Sequence, residues 1–191
     1  MSRSDAGHPT TPTGADADRR TMVLESAMAA FARFGYRKTS MEEVARAAHI
    51  SRPGLYFLFS SKESLFRAAA TQALHRDITA AEQALADGDR PLPERLVEAF
   101  DHWAGRYVGP LARDVATVIE DNPGILGEVV EVLPRRFEEL ITDAITVATG
   151  REEAVRIAQT MISASTGLKH QVGSRESYLE RLAVAVGLLL R

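Results

Sequence analysis

The chain has 191 residues, of which 45% are hydrophobic and 26% are charged, with a net charge of −3 at pH 7. This balance is typical of a globular protein, and no apolar run approaches the roughly 20 residues that a membrane-spanning helix needs. The sequence contains no cysteine, which excludes a disulfide framework and a thiolate zinc site. Its N-terminus lacks the apolar segment of a signal peptide, so we expect a cytoplasmic protein.

The charges are unevenly distributed along the chain. Residues 19–76 contain ten basic and four acidic residues, a net charge of +6, whereas residues 77–191 have a net charge of −7. A basic N-terminal third on an acidic remainder is the asymmetry expected of a segment that binds a polyanion such as nucleic acid. Chance segregation of surface charge is the alternative interpretation.

The N-terminal part of the chain predicts an arm and then helices. The first 18 residues are rich in proline, threonine, glycine, alanine and aspartate, and we expect a disordered arm over 1–18. From there the apolar residues recur at helical spacing, and Gly35 ends a first helix. Ser40 and Glu43 then have the spacing of a capping box, which predicts a short second helix.

A second short helix follows after a tight turn. Ser51 suits its N-cap position, and Pro53 suits its first turn, where a missing N–H group costs nothing. Ser60 and Glu63 predict a further capping box, which opens a long helix over about 62–85.

The rest of the chain predicts more helices, separated by glycine and proline turn signals. No alternating pattern of a β-strand competes with them, so the predicted fold class is all-α. The helices are predicted at about 91–107, 111–121, 124–148, 151–169 and 175–190.

The two short helices indicate a helix-turn-helix, whose second helix enters the major groove of DNA. In the run SRPGLYFLF, Leu55 and Phe59 are four residues apart and are predicted to face the core. Tyr56 and Phe57 then lie on other faces of this helix, so we expect both to be partly exposed.

A resemblance to a known family supports this interpretation. The stretch AFARFGYRKTSMEEVARAAHISRPGLYFLFSSKESLFRAA carries an ordered series of motifs. It resembles the DNA-binding domain of TetR-type transcriptional repressors over about residues 20–74. The resemblance implies a three-helix DNA-binding domain over 19–66 and a larger ligand-binding and dimerisation domain over 67–191. It also implies a homodimer that binds a palindromic operator in double-stranded DNA until a small molecule releases it.

The same resemblance assigns DNA contacts to individual residues. Those at the start of the second helix would meet the sugar-phosphate backbone, those on the third would touch phosphates or bases, and a lysine opening the fourth would hold a phosphate. The set is Thr39, Ser40, Ser51, Arg52, Gly54, Tyr56, Phe57 and Lys62. Phe57 and Leu58 depart from the polar residues often found there, and they either contact thymine methyl groups or only pack. Ser40 and Ser51 either cap helices only or also contact DNA.

Motifs of catalysis and metal binding are missing from the sequence. It has no phosphate-binding glycine loop, no serine-hydrolase motif and no zinc-protease motif. The five histidines, His8, His49, His75, His102 and His170, share no metal-ligand spacing. We therefore expect neither an enzyme nor a cofactor. The alternatives are a helical enzyme or carrier with a basic head, or a structural adaptor, and sequence-selective DNA binding would distinguish a regulator from both.

The last two helices are predicted to form the dimer interface. Residues 182–190, LAVAVGLLL, are apolar on every side, so this helix must be buried on more than one face. Two helices per subunit would form a four-helix contact around a twofold axis, whereas completion of each monomer's own core is the alternative. The predicted interface residues are Ala154, Ile157, Ala158, Met161, Ser165, Leu168, Leu179, Leu182, Val186 and Leu190.

A pocket for a small-molecule inducer is implied by the resemblance. Phe100, Trp103 and Tyr107 form an aromatic stripe that either lines this pocket or belongs to the core. The default ligand is an apolar or aromatic compound. The candidate lining residues are Phe100, His102, Trp103, Arg106, Tyr107, Glu120, Phe137 and Met161.

Overall fold

The structure is a computed structural model that describes residues 14–109 and 124–191. Within these two ranges the chain forms eight α-helices and one 3₁₀-helix (Gly105–Tyr107), with no β-strand, so the all-α prediction is confirmed. No helix in them is both long enough and apolar enough to cross a membrane. The α-helices are α1 (Gly14–Phe34), α2 (Met41–Ala47), α3 (Arg52–Leu58), α4 (Lys62–Ala86), α5 (Leu92–Trp103), α6 (Val129–Thr149), α7 (Arg151–Gln171) and α8 (Arg175–Leu189).

The N-terminal part, termed the head, consists of α1, α2, α3 and the first turns of α4 up to Ala70. Its core is partly aromatic: the Phe66 ring meets the rings of Phe31 and Tyr36 edge-on, with centroids 5.3 and 4.9 Å away. Phe31 and Phe66 are fully buried. Edge-to-face contacts of this kind favour one arrangement of the rings, and they hold α4 against α1.

The remaining helices form the body. In it, α5 packs against α4 and α8, and α7 packs against α6 and α8. Because α4 contributes to the core of the head and then to the core of the body, it connects the two without a break. The domain boundary predicted after residue 66 falls inside this helix. Large buried side chains of the body core include Leu96, Phe100, Phe137, Ile141, Met161 and Leu182.

Side-chain caps define where the short helices of the head begin. Ser40 and Glu43 form the predicted capping box: Glu43 N donates to Ser40 Oγ (3.2 Å), and Ser40 N donates to Glu43 Oε2 (2.7 Å). The Ser51 hydroxyl accepts a hydrogen bond from Gly54 N at 3.1 Å, which confirms Ser51 as the N-cap of α3. Each cap satisfies N–H groups that have no partner within the helix.

The cap of α4 lies one residue later than predicted, so the box assigned to Ser60 and Glu63 is wrong. Ser61 is the N-cap, and Ser64 N donates to its hydroxyl at 3.0 Å while Ser64 Oγ accepts from Ser61 N at 3.1 Å. The two candidate pairs have the same spacing, so spacing alone does not separate them. The Glu63 carboxylate instead pairs with Arg67 at 3.3 Å, one helical turn further on.

The first helix begins earlier than predicted. It starts at Gly14, so the disorder predicted over 1–18 is wrong for residues 14–18. This segment contains two alanines and two aspartates, which suit the first turns of a helix because alanine has the highest helix propensity and acidic groups favour the N-terminal end of the dipole. Residues 1–13 lie outside the described ranges.

The segment that begins with α5 contains a shorter helix than predicted. The helix predicted over 91–107 ends at Trp103, and the chain continues through Ala104 into the 3₁₀-helix. A Cβ on Gly105 would lie 2.4 Å from an Asp101 carboxylate oxygen and 3.0 Å from the Tyr178 ring, so a larger residue here would force these side chains to shift. The helix predicted over 111–121 lies outside the described residues.

The segment before α6 packs into the head. A helix was predicted over 124–148, but α6 begins only at Val129. Ile125 and Leu126 are instead buried in the core of the head, at 5% and 4% exposure. Arg67 Nε donates to the carbonyl oxygen of Ile125 at 2.7 Å. The connection before α6 is therefore fixed to the head by two apolar side chains and one hydrogen bond.

Candidate nucleic-acid interface and ligand cavity

Helix α3 presents one face to the core and the other to solvent. Leu55 and Phe59 are buried at 0% and 3% exposure, as predicted. Tyr56 and Phe57 are exposed, at 43% and 89%, which also agrees with the prediction. A phenylalanine that is almost fully exposed on a protein surface is costly unless a partner covers it, so this position points to a contact surface.

The turn before α3 is a Schellman motif that ends α2. His49 N donates to the Arg46 carbonyl (3.2 Å) and Ile50 N donates to the Ala45 carbonyl (3.0 Å), the bonding pattern of this motif. His49 has a φ of 54°, the left-handed conformation that glycine usually takes in such a turn. The motif fixes the angle between α2 and α3, and it gives His49 a structural role.

Arg20 on α1 holds the C-terminal end of α3. Its guanidinium lies 4.4 Å from the centroid of the Phe59 ring, and its Nη1 donates to the Leu58 carbonyl at 3.5 Å. A cation over an aromatic face and near the C-terminal end of a helix dipole stabilises that end. Sequence reasoning counted Arg20 only as part of the basic segment, because no local motif links residues 20 and 59.

Two predicted DNA contacts have structural roles in this conformation. The Thr39 side chain is buried at 1% exposure, and its hydroxyl donates to the Gly35 carbonyl at 2.8 Å. The Lys62 ammonium donates to the carbonyl oxygens of Tyr36 (3.0 Å), Arg37 (3.4 Å) and Thr39 (3.2 Å). An ammonium group has three N–H donors, so these carbonyls account for all of them. We therefore leave Thr39 and Lys62 out of the DNA surface proposed below.

The other predicted contacts lie on the exposed side of the head. Ser40, Ser51 and Arg52 are exposed, and Gly54 is half-buried beside them. The Arg52 guanidinium lies 5.8 Å from the centroid of the Tyr56 ring, so its charge is next to an aromatic group on the same surface. The side chain of Leu58 packs against the head core, which favours the packing alternative for this residue.

The Glu43 carboxylate next to this surface is held in its charged form. Hydrogen bonds from the backbone N–H and then from the hydroxyl of Ser40 lower the pKa of Glu43 below its ordinary value of 4.5. The cap at the start of α2 is therefore formed over the whole neutral pH range.

Aromatic side chains line a cavity of about 300 Å³ between α4, α5, α6 and α7. The Trp103 ring stacks on Phe137 with centroids 5.0 Å apart, and Phe100 meets Phe137 edge-on at 5.1 Å. Tyr107 also borders the cavity. The aromatic stripe predicted from the sequence therefore serves two purposes, since Phe100 is buried in the core and also forms part of the cavity wall.

The other predicted lining residues do not border this cavity in the described part of the chain. His102 faces Glu98, with 3.7 Å between the imidazole Nε2 and the carboxylate. Met161 is fully buried in the body core. Arg106 borders a neighbouring, larger cavity between α1 and α4. Glu120 lies outside the described residues.

A buried carboxylate lies beside the cavity. Asp77 on α4 is 0% exposed, and Arg106 Nη1 lies 2.5 Å from one of its oxygens while the Tyr107 hydroxyl donates to the other. Arg76 adds a second cation, with its Nε at 3.6 Å. Burial first, and then the hydrogen bond to Asp77, raise the pKa of the Tyr107 hydroxyl, so it stays protonated and keeps donating. Sequence reasoning missed Asp77, because its partners are about 30 residues away along the chain.

Most of the residues predicted for the dimer interface belong to the core of the body instead. Ala154, Ala158, Met161, Leu182 and Val186 are fully buried within the single chain. The sequence could not distinguish the two faces of a helix that is apolar on every side, and the buried face is the one that packs against α5 and α7. Ile157 and Ser165 are buried as well, whereas Leu168, Leu179 and Leu190 are partly buried against the same core.

The outer face of α8 is apolar and exposed. Val184 and Leu188 are 63% and 56% exposed, and Ala183 and Gly187 lie next to them. The outer face of α7 carries small residues, among them the exposed Ser163. Small side chains allow another helix to approach closely. Burial of the exposed aliphatic side chains by such a helix would be favourable.

Comparisons with known proteins agree with the geometry of the head. Residues 23–69 match the model of the tetR family of bacterial regulatory proteins. The HTH-type transcriptional regulator YhgD of Bacillus subtilis is 35% identical over 68 residues, which is 36% of this chain and 36% of that protein. YfiR of the same organism, also an HTH-type transcriptional regulator, is 29% identical over 125 residues, 65% of this chain and 51% of that protein. The matched segments thus span about a third to a half of these curated relatives.

Solved structures share the fold over most of the chain. A TetR transcriptional regulator from Legionella pneumophila has a TM-score of 0.69 at 15% identity, over 96% of this chain and all of the other. The TetR-family regulator PfmR from Thermus thermophilus has a TM-score of 0.60 at 20% identity, over 89% of this chain and 97% of the other. These relatives are named as regulators rather than enzymes, as predicted for this chain. Residues 23–69 are thus similar to the tetR family of bacterial regulatory proteins, and the chain has the overall fold of solved structures that are named as members of that family.

Proposed function

We propose that the protein is a sequence-specific DNA-binding transcriptional regulator, most simply a repressor, that acts in the cytoplasm. The observation that carries this proposal is the outer face of α3, where Arg52, Tyr56 and Phe57 are exposed together while Leu55 and Phe59 lock the helix into the head. A helix held in this way can enter the major groove of DNA as a rigid element.

The side chains on this face have distinct roles in the proposal. The capped N-terminus of α3, at Ser51, would lie near a phosphate, because the positive end of the helix dipole attracts anions. Arg52 would bind guanine, which accepts two hydrogen bonds from one guanidinium. Phe57, at 89% exposure, would contact a thymine methyl group, and this observation favours base contact over packing for Phe57. Tyr56 and Ser40 would bind phosphates.

We further propose that the regulator is a homodimer on a palindromic operator. One head covers only a few base pairs, so useful affinity requires two heads arranged by twofold symmetry. The outer faces of α7 and α8 support this arrangement, because Val184 and Leu188 expose apolar surface next to small residues. The proposed interface therefore uses the faces of α7 and α8 opposite to those predicted from the sequence.

The aromatic cavity supports regulation by a small molecule. Its volume of about 300 Å³ is at the lower end of the range for ligand pockets. It borders α4, whose first turns belong to the head. A ligand that binds the DNA-incompetent arrangement of α4 more tightly would release the operator, with a coupling of about 1–3 kcal/mol in ordinary cases.

Selection of duplexes from a random DNA library by the full-length protein tests the DNA-binding proposal. We expect a palindromic consensus whose binding weakens steeply as salt rises. The Arg52→Ala variant should lose about 1–3 kcal/mol and relax the preference at one base pair of each half-site. Phe57→Ala should relax the preference for one thymine. Arg135→Ala is the matched control, because it removes an exposed arginine from the body, where the side chain is 77% exposed.

Failure of the library to yield a consensus would contradict the proposal, as would equal losses for the Arg52 and Arg135 variants. The regulatory part is tested separately, with a reporter gene downstream of the selected site. Expression that falls when the protein is present, and recovers when a library compound is added, supports a repressor with an inducer. Expression that rises would identify an activator instead.

A further inference from the structure

We infer that the aromatic cavity is one half of a two-part ligand site, and that this site takes a compound with an aromatic ring and an unbranched alkyl tail. The other half is the larger cavity between α1 and α4, termed the aliphatic cavity. The inference rests on the ligand-binding part of the proposed function. It names the class of ligand from the walls that the two cavities have and from the residues that they share.

The two cavities differ in the chemistry of their walls. Phe100, Trp103 and Phe137 give the first cavity an aromatic wall through the stacked and edge-on contacts described above. The aliphatic cavity has a volume of about 530 Å³, and most of the residues described around it are aliphatic, among them Leu24, Ala29, Ala32, Ala69 and Val108. A planar ring gains stacked and edge-on contacts from an aromatic wall, whereas an aliphatic wall rewards any apolar area that covers it. A ring therefore suits the first cavity, and a flexible chain suits the second.

The two cavities have a common wall. Three of the residues described around them border both cavities, namely Met28 of α1, Ala73 of α4 and Tyr107 of the 3₁₀-helix. The cavities are therefore neighbours, with volumes of about 300 and 530 Å³. Their combined volume lies within the range of about 300–1,000 Å³ that ligand pockets occupy.

Met28 is the part of the common wall that can move aside. The Tyr107 hydroxyl donates to Asp77, which holds the ring of Tyr107 in place, and Ala73 is buried in the middle of α4. Met28 is only partly buried, and an unbranched methionine side chain with three rotatable bonds adapts to its surroundings. An alkyl tail that displaces the Met28 side chain would pass from the aromatic cavity into the aliphatic one.

The charged residues around the aliphatic cavity do not assign a charge to the ligand. Glu25 is acidic, whereas Arg76 and Arg106 are basic and both already pair with the buried Asp77. Neutral probes are therefore the appropriate test, since their affinity depends on the apolar walls.

A tail in the aliphatic cavity would reach the head directly. Leu24, Ala29 and Ala32 in its wall belong to α1, and Ala69 belongs to the part of α4 that completes the core of the head. A ligand that fills both halves would therefore contact two helices of the head, whereas a ring in the aromatic cavity alone would leave most of this wall uncovered.

Three neutral probes that share a ring and differ in tail length test the inference: 2-phenylethanol, 4-phenyl-1-butanol and 6-phenyl-1-hexanol. The chain has one tryptophan, and Trp103 lies in the wall of the aromatic cavity, so its fluorescence reports occupancy of that half. Phenyl groups do not absorb where tryptophan is selectively excited. We expect the dissociation constant to fall about fourfold for each added methylene, as burial of a CH₂ group provides. Thermal stabilisation by each probe gives the order of affinities independently.

A substitution that fills the aliphatic cavity separates the two halves. Ala32 is half-buried on α1 and borders the aliphatic cavity, and it is not part of the described wall of the aromatic one. Ala32→Leu should weaken the binding of 6-phenyl-1-hexanol about tenfold, because the added side chain takes the space of several methylenes, and it should leave 2-phenylethanol unchanged. Ala86→Leu is the matched control, because Ala86 is exposed at the end of α4.

A second substitution tests the common wall. Met28→Ile keeps a similar volume, but isoleucine has one strongly preferred χ1 rotamer in a helix and cannot move aside. The preference for 6-phenyl-1-hexanol over 2-phenylethanol should therefore fall about tenfold, by the same loss of buried methylenes. Met22→Ile is the matched control, because Met22 is 60% exposed on the same helix. Circular dichroism establishes that each variant is folded.

The inference is overturned if affinity does not rise with tail length, if Ala32→Leu weakens all three probes equally or none of them, or if Met28→Ile keeps the preference. Binding of 2-phenylethanol without any gain from a longer tail would retain the aromatic cavity of the proposed function and remove its aliphatic half. If no probe binds, the inference and the aromatic ligand site are both contradicted. The measurements are made without DNA, so their outcome is independent of the proposed DNA binding.

Discussion

The head and the body of this protein are packed in different ways. In the head, the rings of Phe31 and Tyr36 both meet the Phe66 ring edge-on. Thr39 is the buried polar side chain among the described residues of the head, and its hydroxyl bonds to the backbone carbonyls of Gly35 and Ala30. In the body, Asp77 and Ser165 are buried between helices, where they bond to side chains from other parts of the chain. The body also contains the aromatic cavity.

From this difference in packing we expect the head to be rigid and the body to be adaptable. A core built mainly of close-packed apolar and aromatic side chains has one favourable arrangement, as a helix that must fit a DNA groove requires. Buried hydrogen bonds between helices, next to empty volume, permit a second arrangement when a ligand replaces missing contacts. The predictions below test how far the two regions differ.

The largest effect is expected from a charge placed in the core of the body. Leu182→Glu puts a carboxylate at a fully buried position, and the unpaired charge should lower the free energy of unfolding by more than about 4 kcal/mol. Leu188→Glu makes the same substitution at a position that is 56% exposed. This second variant should stay folded and become monomeric, as measured by sedimentation and chemical denaturation.

These two variants distinguish the core from the proposed interface. If Leu182→Glu remained folded and only dissociated, the buried face of α8 would be the interface after all. A dimeric Leu188→Glu variant would instead remove the outer face of α8 from the proposed interface.

The next largest effect compares one aromatic residue in each region. Phe66→Ala and Phe137→Ala should both lower the free energy of unfolding, within the range of about 3–5 kcal/mol seen for such truncations. We expect the head variant at the upper end, because Phe66 is fully buried and meets two other rings edge-on. Phe137 already borders a cavity, so part of its contact with neighbours is already missing.

Added benzene sharpens this comparison. An enlarged apolar cavity that ligands can reach binds such a molecule. The thermal midpoint of Phe137→Ala should therefore rise when benzene is added, while that of Phe66→Ala should change little. Equal responses of the two variants would mean that the head is as adaptable as the body.

A smaller effect concerns one serine cap in each region. Ser51 caps α3 in the head, and Ser174 caps α8 in the body by accepting from Ser177 N at 3.2 Å. Replacement of either serine by alanine should lower the free energy of unfolding by about 1 kcal/mol. Operator binding should weaken only for the Ser51 variant, because fraying of α3 disturbs the proposed DNA surface. An equal loss of operator binding in the Ser174 variant would indicate that the body controls the position of α3.

The smallest effect is the titration of Glu43 at the surface of the head. Its pKa is lowered by hydrogen bonds from Ser40. A group whose pKa is lower in the folded state stabilises the fold above its unfolded pKa, and this contribution is lost as the pH falls through the folded pKa. Titration followed by NMR should place the pKa of Glu43 below 4.5. In Ser40→Ala the value should rise but stay lowered, because the backbone N–H remains.

Local signals in the sequence predicted much of the head. Ser40 with Glu43, and Ser51 before Pro53, specify helix starts within a few residues, and the i, i+4 spacing of Leu55 and Phe59 specifies the buried side of α3. Such signals do not depend on distant parts of the chain. The exposure of Phe57 could also be predicted from local spacing, because Phe57 lies on another side of α3 once Leu55 and Phe59 are placed on the buried side.

Roles that depend on distant residues could not be predicted in the same way. The hydrogen bonds from Lys62 to the carbonyl oxygens of Tyr36 and Thr39 join residues 26 and 23 positions apart, so no local pattern predicts them. Helix α8 is apolar on all sides, so only packing against α5 and α7 selects Leu182 rather than Leu188 for the core. The network around Asp77 joins residues that share no spacing pattern.

The docking of Ile125 and Leu126 has a practical consequence for dividing the protein. A fragment that stops at the end of α4 would retain every helix of the head, yet it would lose the two side chains that complete the head's core. The apolar surface beneath them would then face water, and Arg67 would lose its carbonyl acceptor. Such a fragment should aggregate or unfold more readily than the whole protein. A fragment meant to bind DNA by itself would need polar substitutions at that surface, or residues 124–128 supplied in another way.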